Sequence, residues 1–254
     1  MQDFEEKIKE FAKVIKESKR ICVFTGAGIS VPSGIPDFRS ATGLYSNRDE
    51  SGYAPELMLS RSFFNQKPEI FYNFYKNKII FKDAKPNIAH KFFALLQAQD
   101  KDISIVTQNI DGLHTAAGNK KVIELHGSVY RNYCTKCGKQ YTLKDILASD
   151  GIPYCALDGT IIRPDVVLYE ESLDNTVIHK ALEAIAAAEL LVVVGTSLTV
   201  HPAASMVNYF KGKNIAIMNK ASTFLDNSAS FVFNIGAEVC TQRLAELLDM
   251  QVMA

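Results

Sequence analysis

Several common features are missing from this chain of 254 residues. No charge of one sign is in excess: 28 basic residues balance 28 acidic ones, for a formal net charge of zero. That balance removes the basic footprint of a nucleic-acid binder. No long apolar run is present either. The most apolar stretch, Leu190 to Val194, has the length of a strand and cannot span a membrane. Met1 to Lys19 lacks the uninterrupted apolar core of a signal peptide. Phe4, Ile8, Phe11 and Ile15 recur there at helical spacing among Lys and Glu, the pattern of a surface helix. Cysteine is scarce and odd in number, at five, which argues against a disulfide framework. Repeats, heptads and low-complexity linkers are absent as well. A cytoplasmic monomer is the expectation.

What is there is the composition of a globular chain, 47% apolar and long enough for one large domain carrying a small inserted one. Short apolar runs at Ile21–Thr25, Ile103–Thr107, Val122–Leu125, Leu190–Gly195, Asn214–Asn219 and Phe231–Asn234 read as strands buried on both faces. Helical segments alternate with them, among them Asn87–Gln97, capped by Asn87, and Thr176–Ala188. This alternation predicts an α/β fold, a doubly wound Rossmann-like parallel sheet with ligands at the carboxyl ends of its strands. Two regions break the rhythm. Ala41 to Lys85 is rich in aromatics, helical in spacing from Phe63 to Phe81, and Arg131 to Arg163 holds three clustered cysteines. The expected division is therefore a discontinuous main domain (1–40, 86–130, 164–254) and a small domain built from 41–85 and 131–163. Cys22 and Cys240 are expected in the core.

The strand ends carry the chemistry. Ile21–Thr25 runs into Gly26-Ala27-Gly28-Ile29-Ser30, then Gly34-Ile35-Pro36-Asp37-Phe38-Arg39. Glycines at 26 and 28 let the backbone approach a pyrophosphate, and a helix starting near Ile29 would aim its N–H groups at that anion. The third glycine of a dinucleotide fingerprint is missing, since Val31 stands in its place. A tight strand-to-helix turn would use the same residues. Gln108-Asn109-Ile110-Asp111 follows the second strand, either to bind a carboxamide and ribose or to cap a helix through Asp111. His126-Gly127 follows the third, placed for acid–base work or for a structural role. Gly195-Thr196-Ser197 and Asn219-Lys220 end two more strands, suited to phosphate and adenosine ribose. No strand-end acid stands about twenty residues beyond the glycine turn, which counts against a dehydrogenase.

Taken in order, Gly-Ala-Gly-Ile-Ser, Gly-Ile-Pro-Asp-Phe-Arg, Thr-Gln-Asn-Ile-Asp, His-Gly, the paired cysteines, Arg163-Pro164-Asp165-Val166-Val167 and Gly-Thr-Ser-Leu resemble the sirtuins of bacterial type. The likeness runs from about Arg20 to Asn219. It implies an NAD-dependent protein lysine deacetylase with zinc as a structural metal and acetylated proteins as substrates. By that resemblance Gly26, Ala27, Gly28, Ser30, Asp37, Phe38, Arg39, Gln108, Gly195, Thr196, Ser197, Asn219 and Lys220 line the NAD site. Ile110 and Asp111 hold the carboxamide, Asn109 acts near the reacting ribose, and His126 is the general base. The acyl oxygen attacks C1′ of the ribose, nicotinamide leaves, and a ribose hydroxyl deprotonated with help from His126 takes over the acetyl group. Val166, Val167, Leu168 and Tyr169 receive the peptide as an added strand.

Four departures from the family pattern follow. Glu170 stands where many members have glycine, a change with consequences for charge preference around the lysine. Asp158 replaces the fourth cysteine, so the metal set becomes Cys134, Cys137, Cys155 and Asp158. Tyr75-x-x-Lys78 lies near the Tyr-x-x-Arg pair of members that remove acidic acyl groups; Lys78 reads as a solvated helix residue and short uncharged groups as preferred. His201 replaces a common tyrosine. Rival readings are ADP-ribosyl transfer to a protein, removal of longer or acidic acyl groups, and a non-catalytic NAD-binding module. The joint presence of Asn109, Asp111 and His126 argues against the last.

Overall fold

A computed structural model describes residues 2–38, 40, 43–46 and 52–251. The chain runs α1 (Gln2–Glu17), β1 (Arg20–Thr25), α2 (Pro55–Met58), α3 (Arg61–Gln66), α4 (Pro68–Phe74), α5 (Ile88–Ala98) and β2 (Asp102–Thr107). It continues through α6 (Leu113–Ala116), β3 (Val122–Glu124), β4 (Gly127–Cys134), β5 (Gln140–Thr142) and α7 (Leu143–Ala148). Then come β6 (Ile162–Val166), α8 (Asn175–Ala187), β7 (Leu190–Val194), β8 (Asn214–Met218), β9 (Phe231–Phe233) and α9 (Ala237–Leu247).

Six strands form one parallel sheet in the order β3-β2-β1-β7-β8-β9. The order reverses between β1 and β7, the switch point where such sheets open a crevice. Their burial on both faces explains the unbroken apolar runs: all five residues of β7 and the last five of β1 are buried. One face packs on α1, α5 and α9, the other on α8 and the turns near Ala203–Tyr209. Cys22 and Cys240 sit in these two cores, as expected. The apolar stripe of α1 does as its spacing requires. Phe11 lies on Phe231 and Phe233, with ring centroids 5.2 and 5.8 Å apart, and Phe4 meets Phe233 edge-on.

A second, antiparallel sheet has the order β5-β4-β6. Its side chains share a third buried cluster with α2 to α4: Phe64, Phe71, Tyr72 and Tyr75 meet Val129, Cys134, Ile146, Cys155 and Ile162. The two stretches that broke the strand–helix rhythm thus pack on one another.

Three expectations need correction. No helix starts near Ile29. Two three-residue 3-10 turns, Ala27–Ile29 and Val31–Ser33, stand there, because Pro32 and the left-handed Gly34 (φ 86°) stop propagation. Asn87 fixes both turns by donating to the Ile29 carbonyl and Ser33 Oγ while its own oxygen caps α5. The helix expected over Phe63–Phe81 is split at Lys67-Pro68, where proline removes an N–H, and it ends in a π-helical turn, Tyr75–Ile79. Four strands stop one residue early, since Leu125, Gly195, Asn219 and Asn234 already belong to turns.

Among the described residues no helix is long and apolar enough to cross a membrane. Phe11→Ala should lower stability by about 3–5 kcal/mol, the cost of a large buried cavity. Urea unfolding would read this as a lower midpoint at unchanged slope, and a loss below ~1 kcal/mol would mean α1 does not anchor the sheet edge.

Candidate active site

The parallel ladder does not stop at the strand ends. The first residue after each of five strands donates its N–H to the last carbonyl of the neighbouring strand. These bonds run from Leu125 to Thr107, Gln108 to Thr25, Gly26 to Val194, Gly195 to Met218, and Asn219 to Phe233. Every polar cluster anticipated from sequence is thereby held along one sheet edge. The clusters border a single cavity of about 720 Å³. Every anticipated catalytic, cofactor and substrate residue among the described ones lines it; Arg39 lies outside the described residues.

At its centre the two glycine turns touch. Gly28 N–H donates to Gly195 O at 2.8 Å, and a Cβ on Gly28 would lie 2.8 Å from Gly195 Cα. Gly195 itself has φ +60° and faces Ile29 N at 2.3 Å from any added Cβ. Only glycine fits either position. Beside them Gln108 Nε2 donates to Thr196 Oγ1 (3.0 Å), which also accepts Leu198 N–H; Ser197 pairs with Thr199. Asn219 donates to the Ala221 carbonyl at 2.7 Å, at the far end of the cavity.

Ser30 organises the other side. Its hydroxyl donates to Asp111 Oδ2 (2.6 Å) and accepts from Asn109 Nδ2 (3.1 Å). Its one proton being committed, His90 Nε2, 3.4 Å away, is the donor in that contact. Asp111 also accepts Leu113 N–H at 2.9 Å, so the carboxylate caps α6 and faces the cavity at once. Burial pushes its carboxyl up, against the hydrogen bonds from Ser30, Leu113 and Asn109. The Asn109 backbone N–H donates to Thr107 Oγ1.

His126 Nδ1 is 2.8 Å from the Gln108 carbonyl. A carbonyl only accepts, so Nδ1 carries the proton and Nε2 is left with its lone pair. Burial lowers the imidazole pKa and the Gln108 carbonyl partly opposes it, so the neutral form is favoured.

Val166 closes β6, and Val167 N–H donates to His126 O, which ties this segment to the histidine. The charge expected of Glu170 is already engaged: its carboxylate accepts Ser62 N–H (2.9 Å) and Oγ–H (2.6 Å), which holds it below the usual range. Glu170 also has φ +74°, the reason glycine suits this position. Lys78 is exposed, as expected, yet borders the cavity together with Tyr75, whose buried hydroxyl has no partner among the described residues. His201 accepts or donates at Ser205 Oγ and lies at the cavity wall.

Several lining groups gave no sequence signal. Ile235 to Glu238 border the cavity, and the Tyr45 ring lies tilted against Phe38, centroids 5.3 Å apart. His90 and His114, ring centroids 4.8 Å apart, sit behind Ser30 with His114 bonded to Thr25.

Away from the cavity, Cys134, Cys137, Cys155 and Asp158 bring four ligand atoms within 4.8 Å of one another. The Cys134–Asp158 and Cys137–Cys155 distances are 3.5 and 3.6 Å, close to the ~3.7 Å edge of a zinc–thiolate tetrahedron. Tyr141 Oη donates to Cys155 Sγ and Thr160 N–H to Asp158, an outer layer that orients donors toward a metal. The donor set fits zinc.

The family model described as the Sir2 family matches residues 26–202. The chain belongs to the Sir2 family. It is 50% identical over 230 residues to an NAD-dependent protein deacetylase of Clostridium acetobutylicum, covering 90% of this chain and 94% of that one. It is 52% identical over 231 residues to a protein of the same description from Clostridium perfringens, covering 91% and 95%. A solved Sir2 structure with a deacetylated p53 peptide and 3′-O-acetyl ADP-ribose matches at TM-score 0.87 and 37% identity, over 96% of this chain and all of that one. A second, with p53 peptide and NAD+, matches at 0.83 and 39%, over 94% and 98%.

Two outcomes test the groups just described. Purified protein should hold one zinc per chain by elemental analysis. Asp158→Ala should then weaken zinc retention against a chelator by more than the roughly tenfold of a lost outer-shell contact. Equal retention would remove Asp158 from the donor set. The histidine pair predicts acid sensitivity. Burial lowers His90 to about 4, and burial and then His90 lower His114 well below the usual value of 6.5. Between those values the unfolded chain binds more protons, so stability is full above pH 6.5 and falls as pH drops toward 4. His90 alone accounts for ~3 kcal/mol of that loss. Urea midpoints from pH 7.5 to 4.5 should fall steeply, and less steeply in His90→Asn.

Proposed function

We propose that the chain is an NAD-dependent protein lysine deacetylase. The observation that carries this reading is the fixed tautomer of His126, whose free Nε2 shares one cavity with Asn109, Asp111 and the paired glycine turns. The Clostridium relatives carry this description, and the matched Sir2 structures hold peptide with NAD+ or with acetylated ADP-ribose. NAD supplies a ribosyl carbon that accepts the acyl oxygen as nicotinamide departs.

The residues divide that work. Gly26, Ala27, Gly28, Gly195, Thr196 and Ser197 approach the phosphates closely, and Asn219 with Lys220 takes the adenosine. Ile110 and Asp111 hold the carboxamide, with the Asp111 carboxyl fixed in place by Ser30 and the Leu113 N–H. Asn109 stands by the reacting ribose, while Phe38 shields its carbon from water, so that NAD hydrolysis does not compete; Asp37 and Arg39 belong to the NAD site by the family resemblance. His126 Nε2 receives the proton of a ribose hydroxyl, and its depressed pKa keeps it available at neutral pH. Val166 to Tyr169 align the peptide backbone. We assign 41–85 and 131–163 to the small domain, with zinc in a structural role, and a monomeric, cytoplasmic protein that acts without nucleic acid or membrane.

Mass spectrometry of an acetyl-lysine peptide with and without NAD tests the reading. Acetyl loss should require NAD and yield O-acetyl-ADP-ribose, and His126→Ala should slow it by ~10²–10⁴. NAD consumed with the peptide unchanged would point to ADP-ribosyl transfer. Preference for a succinylated peptide would bring Lys78 into the acyl site.

A further inference from the structure

The segment that receives the peptide is fastened on both sides. Toward the helical layer, Tyr169 N–H donates to Leu59 O (3.0 Å) and Arg61 N–H to Tyr169 O (3.1 Å), a short parallel bridge at Ser60. The next residue, Glu170, is pinned in its left-handed conformation by Ser62. Toward the cofactor side, Tyr169 Oη lies 2.8 Å from Tyr45 Oη. Tyr45 is itself rigidly joined to the loop that covers the ribose. Its N–H donates to Phe38 O (2.9 Å), Leu44 N–H donates to Asp37 O (2.7 Å), and its ring is 5.3 Å from that of Phe38. A continuous path of direct contacts therefore leads from the peptide segment to Phe38.

We propose that the Tyr169 hydroxyl is a positioning group which, through Tyr45, sets Phe38 over the ribose and makes peptide and dinucleotide bind cooperatively. The inference rests on the deacetylase reading. The physical source of the coupling is water. Tyr169 is 39% exposed, so solvent competes for the phenol pair when the cleft is empty. A peptide strand laid along Val166 to Tyr169 covers that bond and strengthens it, and the same bond then favours the Phe38 position that ADP-ribose requires. By linkage, each ligand tightens the other by one common factor. Tyr169→Phe removes the hydroxyl and leaves the ring and both backbone bonds in place.

The test is calorimetric titration of ADP-ribose with and without a saturating acetyl-lysine peptide. ADP-ribose has no nicotinamide to expel, so no turnover intrudes. In the unmodified protein the peptide should tighten ADP-ribose. Tyr169→Phe and Tyr45→Phe should each reduce that tightening by about five-fold, the worth of one neutral hydrogen bond, and the double variant should lose no more. Unchanged tightening in Tyr169→Phe, or losses that multiply in the double variant, would overturn the proposal. If both ligands bind the unmodified protein independently, the coupling alone fails. If neither binds, the deacetylase reading fails with it.

Discussion

The site depends on a backbone ladder that runs one residue beyond its strands. Hydrogen bonds from Leu125, Gln108, Gly26, Gly195 and Asn219 to neighbouring strand-end carbonyls fix where each loop leaves the sheet. Loops normally vary in conformation more than the elements they connect. Here the first residue of each loop inherits the register of the sheet, so the polar groups that follow are placed nearly as firmly as strand residues. The contact between Gly28 and Gly195 completes the arrangement. It lies at the switch point between β1 and β7, and it is tight enough to exclude any side chain. At that contact the cavity wall is glycine backbone.

Beneath that edge the electrostatics are set by burial. Asp111 is a buried carboxyl with no basic partner among its hydrogen bonds, only Ser30, Asn109 and the Leu113 N–H. Ser30 can donate to it because two other groups supply the hydroxyl's acceptor needs, Asn109 Nδ2 and His90 Nε2. Burial keeps His90 neutral, and burial together with the facing His90 does the same for His114.

Much of this was legible in the sequence, for a physical reason. In a parallel sheet buried on both faces the strands are plain apolar runs, so the polar residues at their ends stand out, and those are the residues the sheet edge gathers. Gly26 to Ser30, Gln108 to Asp111, His126, Gly195 to Ser197 and Asn219 were found that way. What escaped depends on contacts distant in sequence. The turns after β1 look like a helix start, and only the hydrogen bonds from Asn87 explain why they stay short. Glu170 reads as a free charge, whereas its carboxylate caps the start of α3 through Ser62. His90 and His114 carry no spacing signal, because a single buried histidine on a helix resembles any other core position.

The small antiparallel sheet does more than hold a metal cluster, since it also fixes the histidine. Gly127, the residue after His126, begins β4 with φ +77°, and a Cβ there would come within 1.9 Å of the Asp165 carbonyl on β6. His126 is therefore held between the ladder bond of Leu125 on one side and the β4–β6 pairing on the other. Arg131 reinforces the joint, donating to Glu124 on β3 (2.6 Å) and to Asp165 on β6 (2.7 Å), so one guanidinium bridges the two sheets next to the histidine. Both pairs are partly exposed, and the charge attraction alone is worth little in water. Their value is directional. The guanidinium fork ties β3 to β6 beside His126 with directional bonds. β4 itself ends at Cys134 in the four-donor cluster, so it joins the metal cluster at one end to the residue after His126 at the other.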